Sequence, residues 1–412
     1  MNVGHIIIMK KITFLSAILL LHNILQAQNY PEWRYDRTGI YKNEIGLLKA
    51  WSENGPELLW HFDGLGRGHT SVAIAENKIF ITGETDEKGY LFVFDMEGKL
   101  LNKIEYGTEF VNSYPGSRST VIPNEGKLYV VSGMAELFCY DIETLDLIWK
   151  KNYSKDYGAE NTKHGWHGPP LIIGEKLIIA PGAEKHNVLA LNKKTGEIIW
   201  SSEGKGVMSG YGVPIYVKDQ KIPQIVIMMS DYVIGLDETD GKLLWSFNHT
   251  NKFREHPNTP VYCNDILFCM SSYGKGSVQL RLTDGGRNIE KVWEVSELSH
   301  KTGHVMKFGD YIYGAGEKTN WFCVDWKTGK IMWSDKTVAI GNIIMADGLF
   351  YIYSEKGEIL LVKPNPQRLE IISKFSITLG TDQHWSHPVI YKGILYVRHG
   401  DTLMAYNIKN EK

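Results

Sequence analysis

One phrase recurs along this chain and constrains its fold more than any other feature: a strand end, a polar turn, and a strand closing in tryptophan. It reads CYDIETLDLIW at 139–149, ALNKKTGEIIW at 190–200, GLDETDGKLLW at 235–245 and CVDWKTGKIMW at 323–333. Weaker copies are VFDMEGKLLNKI at 93–104 and RLTDGGRNIEKVW at 281–293. The closing positions fall at Trp60, Ile104, Trp149, Trp200, Trp245, Trp293, Trp333 and Phe375, separated by 40 to 51 residues. Within one unit four short runs follow one another, as in TSVAIAENK, IFITGETDEKG, YLFVFDMEG and KLLNKIEYG. Alternation gives each strand one face for a neighbouring sheet, while Gly and Asp supply the turns. A period in the forties with four strands per unit is the signature of a propeller blade.

Counting units predicts an all-β fold, an eight-bladed β-propeller; seven blades result if one divergent unit is an excursion. The last unit, 387–408, has only three runs, and ELLWHF at 57–62 can supply its missing outer strand. Pairing the N- and C-terminal strands in this way removes the exposed edge that an open stack would leave. The chain then divides into a leader at 1–28, an N-terminal extension at 29–56 expected to pack on the propeller, and the propeller at 57–412.

The leader reads as a secretory signal. Lys10 and Lys11 precede the apolar FLSAILLLHNIL, Ala27 offers a small residue for cleavage, and Met9 is the better start. No Cys follows the apolar run, so no lipid anchor is indicated, and the mature chain is expected in the periplasm or outside the cell. Lys plus Arg total 45 against 47 for Asp plus Glu, which argues against a nucleic-acid partner. No integral membrane segment is expected in the mature chain, and a monomer is the default. Cys139, Cys263, Cys269 and Cys323 all lie in strand-like runs and read as buried small hydrophobes, with a Cys263–Cys269 disulfide left open.

The phrase, roughly A-x-D-x-x-T-G-x-x-x-W, resembles the tryptophan-docking repeat of the quinoprotein alcohol dehydrogenase-like superfamily, the PQQ-like propellers. The resemblance spans about residues 57–408 and implies the fold. It implies two kinds of activity: quinone-dependent dehydrogenation, and a binding platform like the lipoprotein of the outer-membrane assembly machine. The dehydrogenases of that superfamily are larger, with a calcium site of carboxylate and amide ligands and often an adjacent-cysteine disulfide. This chain has no adjacent cysteines and no c-type haem motif.

A propeller gathers the loops that lead into its innermost strands around one end of the central channel, so residues distant in sequence meet there. Eight-residue lead-in windows ending at 71, 120, 169, 214, 260, 304, 342 and 388 hold eight of the 14 histidines: His69, His164, His167, His256, His300, His304, His384 and His387. They also hold Arg67, Tyr114, Arg118, Trp166, Tyr211, Arg254, Asn258 and Trp385. Arg suits carboxylate or sulfate, Trp and Tyr offer faces for sugar rings, and His serves as acid, base or metal ligand. Together they predict a polar, aromatic, mildly cationic cup.

The ligand-binding set is therefore Arg67, His69, Tyr114, Arg118, His164, Trp166, His167, Tyr211, Arg254, His256, His304, His384 and Trp385. Were the cup catalytic, His167, His256, Tyr211 and Arg118 are the candidates, with a lyase acting on a uronate as the chemistry. For a divalent metal, His384 and His387 in QHWSHP are the candidates, and His164 with His167 a second pair. In an alternating strand, however, His164 and His167 would point to opposite sides and only one would face the channel. The reading that follows is a propeller binding a saccharide or other polyhydroxylated, or anionic, ligand, with polysaccharide utilisation as its setting. Its alternatives are a carbohydrate lyase, a protein-interaction platform, and a divergent dehydrogenase using pyrroloquinoline quinone with calcium.

Overall fold

The computed structural model describes residues 33–160, 162–301 and 304–410, so the leader reading at 1–28 lies outside the described residues. Eight antiparallel sheets stand in sequence, so the excursion that would have given seven blades does not occur. Blade one holds strands Ala73–Ala75, Lys78–Thr85, Lys88–Phe94 and Leu100–Thr108, ordered from the channel outward. Blades two to seven repeat this order, with innermost strands Ile122–Asn124, Leu171–Ile173, Ile215–Val217, Val261–Cys263, Met306–Phe308 and Gly341–Ala346. Blade eight takes its three inner strands from Val389–Tyr391, Ile394–His399 and Thr402–Asn407. Its outer strand is Glu57–Asp63, paired antiparallel with Thr402–Asn407 so that Trp60 faces Ala405. The two ends of the propeller thus close one sheet.

The recurring tryptophan explains the spacing of the blades. The Trp200 indole N–H donates to the Glu238 carbonyl of the next blade at 3.1 Å, and Trp149, Trp293 and Trp333 donate likewise to Lys193, Trp326 and Asn365. Behind three of these donors a glycine of the next blade's turn stands against the ring: Gly196 at Trp149, Gly241 at Trp200 and Gly329 at Trp293. A Cβ placed at Gly241, whose φ is +76°, would come within 2.5 Å of the Trp200 ring. Only glycine meets both demands, a left-handed backbone and no side chain toward the indole.

Blade five has the divergent turn Asp284–Gly286, and the contact there changes form. Trp245 donates to Oε1 of Gln224 at 2.6 Å, and Nε2 of Gln224 donates to the Gly286 carbonyl at 3.0 Å. One buried glutamine relays the bond that the regular turn makes directly.

The core is distributed between blades. Ile79, Ile81, Phe92 and Phe94 of blade one, for example, pack with Leu395, Val397 and Leu403 of blade eight. The four cysteines are free, including Cys263 and Cys269. Among the described residues no helix is long and apolar enough to cross a membrane.

The N-terminal extension enters the channel. Ile40–Tyr41 pairs parallel with the innermost strand of blade seven, Ile40 opposite Met345. Arg37 donates to the carbonyls of Pro214 at 3.0 Å and Pro170 at 2.7 Å, and Arg34 to that of Ile343 at 3.2 Å. Two buried guanidiniums so tie blades three, four and seven together across the axis. Trp200 is only 7% exposed, and Trp200→Ala should lower unfolding free energy by about 3–5 kcal/mol, read as a fall in the denaturant midpoint.

Candidate functional site

Innermost strands run away from one face of the propeller and second strands return to it, so lead-in loops and second-to-third strand hairpins share that face. They surround a cup of about 540 Å³. Trp33 closes its bottom, edge-on to His304 at 4.9 Å and His387 at 5.3 Å between ring centroids. Those two histidines are buried and linked, His387 Nε2 to His304 Nδ1, at 3.1 Å.

One wall is aromatic. Trp385 packs against Tyr114 at 4.9 Å and His69 at 5.1 Å, and His167 stacks on Tyr211 at 4.7 Å with ring planes 9° apart. Three tyrosines of the cup, Tyr114, Tyr211 and Tyr273, have φ of +46°, +69° and +56°. A bulky residue in the left-handed region carries strain of about 1–3 kcal/mol and persists where surrounding structure fixes it. Three such residues around one cavity mark a surface shaped at a cost in stability.

The other wall is polar. The Tyr273 hydroxyl donates to Oε2 of Glu255 at 2.6 Å, and His164 Nε2 lies 3.6 Å from Oε1 of the same carboxylate. His164 Nδ1 meets the Ser113 hydroxyl at 2.8 Å, and its backbone N–H donates to the Tyr211 hydroxyl at 3.0 Å. Glu317 accepts from Ser299 at 3.0 Å and stands 3.8 Å from Lys301. Arg118 donates through Nη2 to the carbonyls of Phe110, Ser113 and Tyr114, which holds the loop carrying Tyr114.

Of the residues singled out from sequence, His69, Tyr114, Arg118, His164, His167, Tyr211, His304, Trp385 and His387 line the cup. Both His164 and His167 do so because KHGWHGPP is no strand: turns at Gly165 and Gly168, with φ of +73° and +111°, break the alternation. Five residues lie elsewhere. Arg67 pairs with buried Glu84, and Arg254 with Asp231. Trp166 is buried against Tyr153, and His256 is buried between the Ser230 carbonyl and the Ser271 hydroxyl. His384 stacks on His399 at 3.6 Å and bonds the Tyr353 hydroxyl.

Residues that sequence reasoning passed over are Trp33, Glu255, Tyr273, Lys301, Glu317 and Glu355, all lining the cup. Glu255 lies inside a lead-in window, between the two residues chosen from it. Tyr273, Glu317 and Glu355 sit on second-to-third strand hairpins, which the same topological argument would have flagged. Trp33 precedes the first repeat and has no signal. With Glu255, Glu317 and Glu355 against Arg118 and Lys301, the cup is not the mildly cationic one expected.

The histidines add no positive charge near neutral pH. Burial, helped by the charges of Arg398 and Arg118, lowers His69 to about 3, and burial beside Arg118 lowers His167 to about 3. Burial and Arg34 hold His304 and His387 well below the ordinary imidazole value. A histidine depressed in the folded state binds fewer protons there than when unfolded, so its neutral burial favours folding above the unfolded pKa of about 6.5. That contribution is lost as pH falls from there toward the folded value. The denaturation midpoint should drop steadily between pH 7 and pH 4, and His167→Gln should flatten the profile.

A quinone held by calcium does not fit this donor set. Among the described residues no group of three His, Cys, Asp or Glu side chains could hold a metal ion, and no cysteine lines the cup. His384 and His387 turn to different partners, and Glu317 already accepts from Ser299.

Comparison with known proteins agrees with the fold. A quinoprotein ethanol dehydrogenase of Pseudomonas putida is 28% identical over 116 residues, 27% of this chain and 18% of its own length. The outer membrane protein assembly factor BamB of Moranella endobia is 20% identical over 250 residues, 57% of this chain and 62% of its own. The chain thus spans less than two thirds of either relative. The crystal structure of BamB from Moraxella catarrhalis superposes with a TM-score of 0.63 at 14% identity, covering 85% of this chain and 99% of that one. The family described as outer membrane protein assembly factor BamB matches residues 44–335, well over half of the chain, and the protein belongs to that family of PQQ-like propellers.

Proposed function

We propose that the protein is a binding propeller whose cup takes a saccharide or another polyhydroxylated molecule. The observation that carries this reading is the pairing of aromatic faces with convergent polar groups around one cavity of about 540 Å³. Aliphatic C–H faces of a sugar ring stack on Trp385, Tyr114 and Tyr211, while its hydroxyls bond Glu255, Glu317 and the histidines. The cavity volume suits a short oligosaccharide. The signal-like leader supports action outside the cytoplasm, where soluble oligosaccharides from polysaccharide breakdown would be available.

Family membership favours a second reading, a platform that binds another protein of the outer-membrane assembly apparatus. The two separate on ligand size. A platform offers an open rim to a folded partner, whereas the saccharide reading needs the bottom of the cup.

A thermal-shift screen of the purified protein against neutral, amino and acidic oligosaccharides, and against quinone with calcium, decides between them. A sugar at a hundred times its Kd should add about 2.7 kcal/mol to stability, and Trp385→Ala should abolish the shift. Stabilisation by none of the sugars would leave the platform reading standing, and stabilisation by quinone with calcium alone would overturn both.

A further inference from the structure

The charge of the ligand can be read from the atoms that the cup leaves without partners. The Glu255 side chain is only 9% exposed, and its Oε1 has no hydrogen bond. Two groups approach without seating: His164 Nε2 at 3.6 Å and Lys163 Nζ at 4.0 Å, both beyond hydrogen-bond reach. His164 is also held below the ordinary imidazole value by burial, so it is a poor cation near neutral pH. Lys163 is 65% exposed and its Nζ also lies 5.1 Å from the Phe253 ring centroid, so its long ion pair with Glu255 is weakened by solvent. A buried carboxylate oxygen lacking a donor is costly, and a charge-assisted donor arriving from outside compensates it best.

The remaining charges point the same way. Glu317 and Glu355 also face the cup. Of the lining cations, Arg118 gives Nη2 to three backbone carbonyls, and Lys301 lies over the Tyr273 ring and beside Glu317. Three carboxylates around the cup outnumber its two cations, while Arg118 Nε is itself buried without a partner.

At the bottom, His304 and His387 share one N–H···N bond, and their outer atoms, His304 Nε2 and His387 Nδ1, are buried without partners. In a neutral pair whichever ring donates the shared proton leaves one outer nitrogen as donor and the other as acceptor. That combination matches hydroxyl groups, which both donate and accept.

We propose that the cup recognises an amino sugar, with a protonated amine on Glu255, hydroxyls on the His304–His387 pair, and a ring face on Trp385 and Tyr114. The inference rests on the saccharide reading above and adds the ligand's charge. Arg118 then acts in shaping the loop that presents Tyr114, not in neutralising a ligand carboxylate.

Calorimetric titration of the whole protein with glucosamine oligomers, their N-acetylated counterparts, neutral cello-oligomers and galacturonate oligomers of equal length tests it, at a pH where the amine is protonated. Glucosamine oligomers should bind about tenfold tighter than the neutral and acetylated series, the effect of one charge-assisted bond, and galacturonate weakest. Glu255→Gln should remove that preference, so that glucosamine oligomers and their N-acetylated counterparts bind with equal affinity. Should that variant fail to fold, the ratio of free to acetylated amine in the native protein carries the test alone. Galacturonate binding as tightly as glucosamine, or a preference for the amine that survives Glu255→Gln, overturns the inference while the saccharide reading stands. Binding of no sugar at all overturns both.

Discussion

The contact between a blade's closing tryptophan and the next blade's turn, made by six of the eight blades, is what the rest of this structure rests on. A propeller has no continuous core; each sheet is stable only when both faces are covered by neighbours. Trp200 over Gly241 shows how the distance is set: the indole fills the wedge, its N–H is satisfied by Glu238, and glycine leaves room for the ring. Where blade five departs from the pattern, Gln224 carries the hydrogen bond across instead. Closing the ring through Glu57–Asp63 then fixes all eight blades relative to one another.

That rigidity explains how the cup can hold an unusual surface. Tyr114, Tyr211 and Tyr273 stand in left-handed backbone. Arg118 on three carbonyls, and the Tyr211 hydroxyl under His164, are the bonds that keep two of these loops in place. Below them the N-terminal extension crosses the channel, held by Arg34 and Arg37 on carbonyls of three blades, and brings Trp33 to the bottom. There Trp33 lines the cup beside His304 and His387.

The repeat made the fold legible before any coordinates, because periodicity and turn chemistry are local properties that sequence carries directly. The lead-in loops border the cup for the same topological reason, and five of the histidines enriched there line it: His69, His164, His167, His304 and His387. What stayed hidden was side-chain direction in irregular backbone. In the run Arg254, Glu255, His256 the two flanking residues looked chemical and turned away, while the carboxylate between them faces the cup. Period-two reasoning failed at KHGWHGPP because glycines at positive φ reset the direction. Trp33 reaches the site beside a short strand pairing, Ile40 with Met345, whose partners are more than three hundred residues apart in sequence and which no local pattern announces.

The central claim is that ligand occupies the end of the channel bounded by Trp385, Tyr114 and Tyr273. Hydroxyl-radical footprinting read by mass spectrometry, with and without a saturating amino-sugar oligomer, addresses it residue by residue. The account predicts protection at Tyr114, Tyr273 and Trp385, with exposed apolar side chains of the outer strands such as Ile198 and Ile371 unchanged. Protection confined to the outer strands, or none at the three aromatic residues, would contradict it.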